Sequence, residues 1–267
     1  MVAEDHRAEA AGDGRLRTTR WGAIWAVFGA GMICGAYMTK VAPAPPLQRV
    51  ELGLWAAYMP AGGGIASLRL LAESLARPGN IALAVLFAFY VSQWVSVMIW
   101  LPTFLVDERG ASPTAAALLT ALMVPVNAPR NIAGGWLLAH GVRRGPMVIA
   151  ASAIMAVCSA GMLGPLLPDG LRYLLCLAFS ACAGVIPGAI FSGLPAHAKT
   201  PQHIGTANGM VMQTSQAGQF VGPIALAWLA SHYGGWGATL WAMLVFAAGG
   251  ALCGLALTRI ERDKMAR

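Results

Sequence analysis

A single arginine in a long apolar stretch has the clearest chemistry in this sequence. Arg130 lies ten residues before His140, which is about 15 Å along a helix at about 1.5 Å per residue. A charge near the middle of a bilayer costs at least roughly 2.5–3.5 kcal/mol, so it is expected to face a cavity or a partner. All 11 acidic residues fall in tails, loops or helix ends. Arg130 is therefore a candidate to bind an anionic solute. The alternatives are that it hydrogen-bonds carbonyls freed by Pro125 and Pro129, or that it extends along its helix.

Uncharged polar residues in the apolar stretches are candidates to line the same cavity, because amides and hydroxyls bind an anion or a neutral solute without a fixed charge. Asn127 and Asn131 flank Arg130 and are four residues apart, so they share one face of a helix. The other candidates are Tyr90, Gln93, Trp94, Asn208, Gln213, Gln216 and Gln219. The alternative for each of them is a hydrogen bond between helices.

The remaining reactive residues indicate neither a catalytic centre nor a metal site. The five cysteines lie in apolar stretches without metal-ligand spacing, so we expect buried apolar thiols. The five histidines fall in tails or loops, where solvated side chains are expected. Neither a Gly-x-Ser-x-Gly elbow, a His-Glu-x-x-His pair nor a phosphate-binding glycine loop is found. The sequence therefore predicts no enzyme, no cofactor, no metal and no embedded proton relay.

The amino-acid composition indicates that lipid, rather than water, surrounds most of this chain. Hydrophobic residues make up 57% and charged residues 11% of the 267 residues, against roughly 45–50% and about 25% in soluble domains. The mean hydropathy of +0.63 agrees. Although the net charge is +7, Lys and Arg lie in short clusters between apolar stretches rather than on a basic face with interleaved aromatics. These features exclude a soluble enzyme, a disordered chain and a nucleic-acid binder.

Long apolar stretches predict a helical membrane protein. A span takes about 20 residues, and strand-like alternation is absent, so the fold class is all-α. Six stretches are long enough: Ile81–Val106, Thr114–Ala139, Pro146–Leu167, Leu171–Pro195, Ile204–Ser231 and Trp236–Leu257. An earlier stretch, Trp21–Thr39, is also long enough, whereas Leu52–Leu71 is short and is interrupted by Pro60 and three glycines.

Charge placement favours about eight spans with both termini in the cytoplasm. If Leu52–Leu71 spans, most of the 18 lysines and arginines fall on the cytoplasmic side, as the positive-inside rule requires. Only Lys40, Arg49, Arg109 and Arg172 then fall outside. If that segment does not span, the first arginine cluster lies on the wrong side.

Two motifs resemble those of the major facilitator superfamily. The loop from Gly135 to Gly145 resembles its cytoplasmic loop motif, with paired Arg143 and Arg144, although Ala139 stands at the acidic position. The segments Gly205-Thr206-Ala207-Asn208-Gly209 and Gly218-Gln219-Phe220-Val221-Gly222-Pro223 resemble its Gly-x-x-x-Gly-Pro helix, in which glycines seat a neighbouring helix. The sequence of residues 131–138 resembles that of the cyanate/nitroimidazole-transporter-like bacterial branch of this superfamily.

The resemblance implies a domain plan and a function. Residues 1–20 are expected to form a cytoplasmic tail, 21–77 a reduced amino-terminal half of two helices, 78–258 a six-helix carboxy-terminal bundle and 259–267 a basic cytoplasmic tail. The expected function is transport of a small organic or inorganic anion across the bacterial inner membrane by alternating access. A shortened, non-transporting membrane protein or interaction scaffold is the alternative, because helices two to six of the family are largely missing. Partners are the lipid bilayer and a small solute, and a homodimer would restore two bundles.

Overall fold

A computed structural model describes residues 64–164, 167–233 and 235–266, which belong to one compact unit. These residues form α-helices and no strand. In chain order the helices are α1 (Gly64–Leu75), α2 (Pro78–Arg109), α3 (Pro113–Ala121), α4 (Met123–Ala139), α5 (Arg144–Leu163), α6 (Asp169–Ala183), α7 (Val185–His197), α8 (Pro201–His232) and α9 (Thr239–Met265), with a 3-10 helix at Trp236–Ala238. The predicted span Trp21–Thr39 and the first part of Leu52–Leu71 lie outside the described residues.

Four helical stretches in this part of the chain are long and apolar enough to cross a membrane: Pro78–Arg109, Arg144–Leu163, Asp169–His197 and Trp236–Met265. They contain four of the six predicted spans of this region, and the prediction of an all-α membrane bundle is confirmed. The long helix α8 contains a fifth predicted stretch, but its asparagine and glutamines lower its hydropathy. The count of eight spans stays a prediction.

Two of the predicted spans each contain a helix break, which here is a one-residue interruption of the hydrogen-bond pattern, at Leu122 or at Gly184. Both residues keep right-handed helical φ and ψ angles. Thr114–Ala139 was expected to be one helix, but the structure ends α3 at Ala121 and starts α4 two residues later. Leu171–Pro195 is interrupted in the same way after Ala183, although Asp169–His197 is still one continuous stretch of membrane-spanning length. The reason is the same in both, because Pro125 and Pro187 each lie four residues after the last residue of the first helix. A proline provides no N–H for the carbonyl four residues earlier, and its ring collides with that carbonyl.

The helix α2 lies at the centre of the bundle and packs on α7, α8 and α9. Its contact with α8 is close because Gly218 and Gly222 of α8 leave room for the backbone of α2 at Ala88 and Ser92. The Ser92 hydroxyl donates to the Gly218 carbonyl at 3.2 Å, and the Trp100 indole donates to the Pro223 carbonyl at 3.0 Å. The predicted role of the Gly-x-x-x-Gly-Pro motif as a helix seat is therefore confirmed.

The described part of Leu52–Leu71 belongs to α1, which has 12 residues and packs on α8. Glu73 of α1 pairs with Arg69 at 3.0 Å and with His203 of α8 at 3.2 Å. These hydrogen bonds, from Arg69 first and then His203, lower the pKa of the Glu73 carboxyl below its usual value. The contact attaches α1 to the first turn of α8. Whether Leu52–Leu71 spans the membrane stays a prediction, because residues 52–63 lie outside the described part.

Charged residues of the bundle separate to its two ends. Arg109, at the end of α2, pairs with Asp169, at the start of α6, at 3.2 Å. Arg144 and Lys264 lie at the opposite end, beside the last residues of α7. The residues predicted to be a tail, 259–267, continue α9 as far as Met265. This separation has the pattern that the positive-inside argument expects.

Candidate functional site

The two helix breaks lie against each other and are joined by hydrogen bonds through Ser180. The Asn127 amide of α4 donates to the Ser180 carbonyl of α6 at 2.9 Å. The Ser180 hydroxyl donates to the Met123 carbonyl, at the start of α4, at 2.7 Å. Both Asn127 and Ser180 are buried. Each broken helix therefore satisfies polar groups of the other, as buried polar atoms require.

Three further predicted residues extend this network to α2 and along α4. The Trp94 indole of α2 donates to the Ser180 hydroxyl at 3.3 Å, and the Asn131 amide donates to the Asn127 side-chain oxygen at 2.9 Å. The Tyr90 hydroxyl lies beside the Asn127 side chain. The structure thus brings together four of the predicted site residues, and the donors of Trp94, Asn127 and Asn131 are used within the protein. Their arrangement supports the interhelical alternative for Trp94 and Asn127, whereas the Asn131 amide bonds within α4.

Arg130 differs from these residues, since its side chain is exposed on the surface of the described bundle. The ion pairs of Arg and Lys that the structure describes involve Arg69, Arg109, Arg144 and Lys199. No hydrogen bond from Arg130 occurs within the described residues, so the structure does not support bonding to carbonyls freed by proline. In the predicted span Thr114–Ala139, an exposed guanidinium needs water, protein or a ligand in place of hydrocarbon.

The start of α7 determines how closely α4 approaches at Arg130. A Cβ at Gly184 would lie 2.9 Å from Arg130 Cβ and well inside contact distance of the Asn127 carbonyl oxygen. One turn later, a Cβ at Gly188 would collide in the same way with the Asn131 carbonyl and would lie 2.9 Å from the Gly135 nitrogen. These two glycines form the α4–α7 seam, and the Cβ of Arg130 lies beside the first of them.

The remaining predicted residues lie elsewhere. Gln93 is buried, and its amide donates to the Met243 carbonyl of α9 at 2.6 Å, on the other side of α2 from the network. Gln213 and Gln216 are exposed on the face of α8 turned away from Gly218 and α2. Since α8 packs on α2 and α1, these glutamines do not join the network. Exposed amides are costly in hydrocarbon, so that face also requires water or protein beside it.

Sequence reasoning missed Ser180, although it lies four residues before Gly184 and close to the break at Pro187, where a hydroxyl can satisfy a freed carbonyl. The expectation of solvated histidines was wrong for two residues. His197 and His203 are only 2% and 4% exposed, because each faces a carboxylate supplied by a distant helix. His140 and His232 are exposed, as expected.

The basic pair of the loop motif has a carboxylate partner that the motif did not indicate. Because Ala139 stands at the acidic position, the loop itself supplies no carboxylate. Arg144 is buried and forms an ion pair with Glu261 of α9 instead. Its Nε also donates to the Ala189 carbonyl of α7 at 2.9 Å. Arg144 therefore joins α5, α7 and α9 at one end of the bundle. Within the described ranges, no group of three or more His, Cys, Asp or Glu residues could hold a metal ion.

This bundle of broken and glycine-seated helices matches a known family. The family model of the Major Facilitator Superfamily covers residues 83–267. The chain belongs to the Major Facilitator Superfamily. The match includes all of the polar network and both broken helix pairs, and it confirms the resemblance found in the loop motif and in the Gly-x-x-x-Gly-Pro helix.

One curated relative carries a functional name. A nitrite extrusion protein of Bacillus subtilis (strain 168) is 30% identical over 135 residues. The aligned part is 50% of this chain and 33% of that protein, so the match extends over a third of the relative's length. The comparisons therefore establish the family and a membrane protein of the transporter type.

Proposed function

We propose that this facilitator protein moves a small anion across the membrane by alternating access and that Arg130 binds the anion. The observation that carries the proposal is the exposed Arg130 guanidinium. It lies half-way along α4, in the predicted span Thr114–Ala139, and has no ion-pair partner in the described part of the chain. A guanidinium offers five donors in a planar fork that suits oxyanions. An anion would therefore replace the missing carboxylate.

The helix breaks support a solute site at this depth. Transporters commonly form their sites near the bilayer midplane at the interface of two bundles. The breaks after Ala121 and Ala183 lie next to each other here, and Arg130 lies within three turns of both. The hydrogen-bond network around Ser180 stabilises the two breaks, so the part of α4 that carries Arg130 is held in place.

The relative supports the chemical class of the solute. Nitrite is a small oxyanion, and the nitrite extrusion protein aligns with half of this chain. The exposed amides of Gln213 and Gln216 would supply uncharged donors on the exposed face of α8. We therefore propose a small inorganic oxyanion as the solute and nitrite as the first to test.

Nitrite uptake into proteoliposomes tests the proposal. Hydrogen bonds to a charged group contribute about 1.5–3 kcal/mol, so Arg130→Gln should lower nitrite affinity about 10- to 100-fold. Arg130→Lys keeps the charge without the fork and should retain part of the uptake. Arg143→Gln, which removes an exposed loop arginine, is the matched control and should leave affinity unchanged. Uptake that is absent for the natural protein, or equal in Arg130→Gln, would reject the proposal.

A further inference from the structure

His197, the last residue of α7, is enclosed at the end of the bundle where α2 and α5 begin and α9 ends. The residue is 2% exposed. Its ring lies directly on Gly79, where a Cβ would stand 2.6 Å from His197 Cγ. Nε2 lies 3.3 Å from the Glu261 carboxylate, and Nδ1 lies 3.4 Å from the Lys264 ammonium. Each ring nitrogen of this buried histidine thus faces a charged group of α9.

The two partners determine the protonation state of the imidazole. A carboxylate only accepts hydrogen bonds, so Nε2 must carry a proton and donate it to Glu261. An ammonium only donates, so Nδ1 must be unprotonated and accept from Lys264. Neutral His197 therefore satisfies both partners, and a second proton on the ring has to displace Lys264.

The other charged groups around the ring also belong to this arrangement. From α5, Arg144 binds the same Glu261 oxygen as His197 does. From the residue before α2, the Arg77 guanidinium donates to the His197 carbonyl at 3.4 Å. Lys264 also donates to the Ala196 carbonyl at 3.0 Å, where a cation is favourable at the end of α7. Lys264 thereby attaches the last turn of α9 to α7.

The neighbouring residues after α7 form a separate set of contacts. Lys199 and His203 both pair with Glu73 of α1, at 3.9 and 3.2 Å. These groups act on α1 and α8, whereas Glu261 is the carboxylate that His197 contacts within the described residues.

We propose that His197 is a proton-binding site and that its protonation releases Lys264, and with it the last turn of α9, from the end of α7. The added proton occupies Nδ1 and places a positive ring beside a positive ammonium. Glu261 keeps its bond to the ring, so the charge of His197 is held while Lys264 moves into solvent. Lowering the pH from about 8 to 5, the range in which histidine side chains ordinarily gain a proton, is therefore the perturbation that tests the release.

Hydrogen exchange on the full chain in detergent tests this site. Peptides covering residues 258–266 are compared at pH 8 and pH 5.5 after correction for the intrinsic rate. We expect about 10-fold less protection at pH 5.5 in the natural protein. His197→Gln, whose amide can donate to Glu261 and accept from Lys264 without titrating, should show equal protection at both values. His232→Gln, which alters an exposed histidine at the end of α8, should behave like the natural protein.

A second variant keeps the test decisive if His197→Gln does not fold. Lys264→Met removes the exposed ammonium, so these peptides should be weakly protected at both pH values. Equal protection of the natural protein at the two pH values would overturn the proposal, as would a full pH response in either His197→Gln or Lys264→Met. No solute enters the measurement, so its outcome is independent of whether the protein transports nitrite.

Discussion

Replacing Gly184 by alanine adds a methyl group where α7 begins against α4. The new Cβ would lie 2.9 Å from Arg130 Cβ and well inside contact distance of the Asn127 carbonyl oxygen. Backbone atoms and a Cβ cannot turn aside as the end of a flexible side chain can, so α4 has to shift away from α7. Such overpacking costs typically about 1–3 kcal/mol. Because one of the two clashes involves Arg130 itself, part of the shift reaches the guanidinium.

Gly188→Ala is the matched control for this change. Its methyl group meets the same seam one turn later, against the Asn131 carbonyl oxygen and, at 2.9 Å, the Gly135 nitrogen. The clash is therefore of equal size, but it does not involve Arg130. Both variants should lose stability by a similar amount, about 1–3 kcal/mol.

Two measurements separate stability from anion binding. Thermal unfolding in detergent, followed by tryptophan fluorescence, should show a lower Tm for both variants. Nitrite uptake in proteoliposomes should show a KM raised about 5-fold or more for Gly184→Ala, since about 1 kcal/mol corresponds to a factor of 5. For Gly188→Ala the KM should stay within about 2-fold of the natural value. Equal changes of KM in the two variants, or an unchanged KM in Gly184→Ala with a lowered Tm, would refute the reasoning that Gly184 positions Arg130.

Three further changes test the packing around the site. Ser180→Ala removes the hydroxyl that donates to the Met123 carbonyl and accepts from the Trp94 indole, so we expect a loss of about 1–3 kcal/mol of stability, measured as a lower Tm. Gly222→Ala collides with the α2 backbone and should lower the Tm by a similar energy, whereas Gly209→Ala meets open space on the same helix and should leave it unchanged or raise it. Because the pKa of Glu73 is lowered from 4.5 by its hydrogen bonds, the attachment of α1 to α8 is present above that value and is lost as the pH falls through the lower pKa. Hydrogen exchange of residues 64–75 should show this loss in the natural protein, and Glu73→Gln should show weak protection throughout.

Helix order and the membrane environment could be predicted from the sequence, whereas the helix breaks could not. Apolar stretches of sufficient length are visible in one dimension, since lipid leaves no alternative to satisfying the backbone within a helix. Pro125 and Pro187 are also visible, but a proline can kink, end or be tolerated in a helix. Which of these occurs depends on the surrounding packing, and here the two breaks are joined by hydrogen bonds through Ser180 on a neighbouring helix.

The candidate site was predicted in part for the same reason. Arg130 could be recognised from the sequence because a charged side chain in hydrocarbon is costly whatever its orientation on the helix. Asn127 and Asn131 were correctly paired, since they lie on one helix. Gln93 could not be separated from the site residues, because its partner on α9 is 150 residues away in the chain.

The sequence by itself determined that the protein lies in lipid, the order of its helices and the family that its motifs resemble, and it singled out Arg130 as a charge expected to need a partner within the membrane. These properties follow from composition and from spacing within single helices. Only the tertiary structure decided which polar groups satisfy one another. His197 and Glu261 are 64 residues apart, and Asn127 and Ser180 are 53 apart. Hydrogen bonds depend on distances of about 3 Å between helices, and these distances are set by packing rather than by position along the chain.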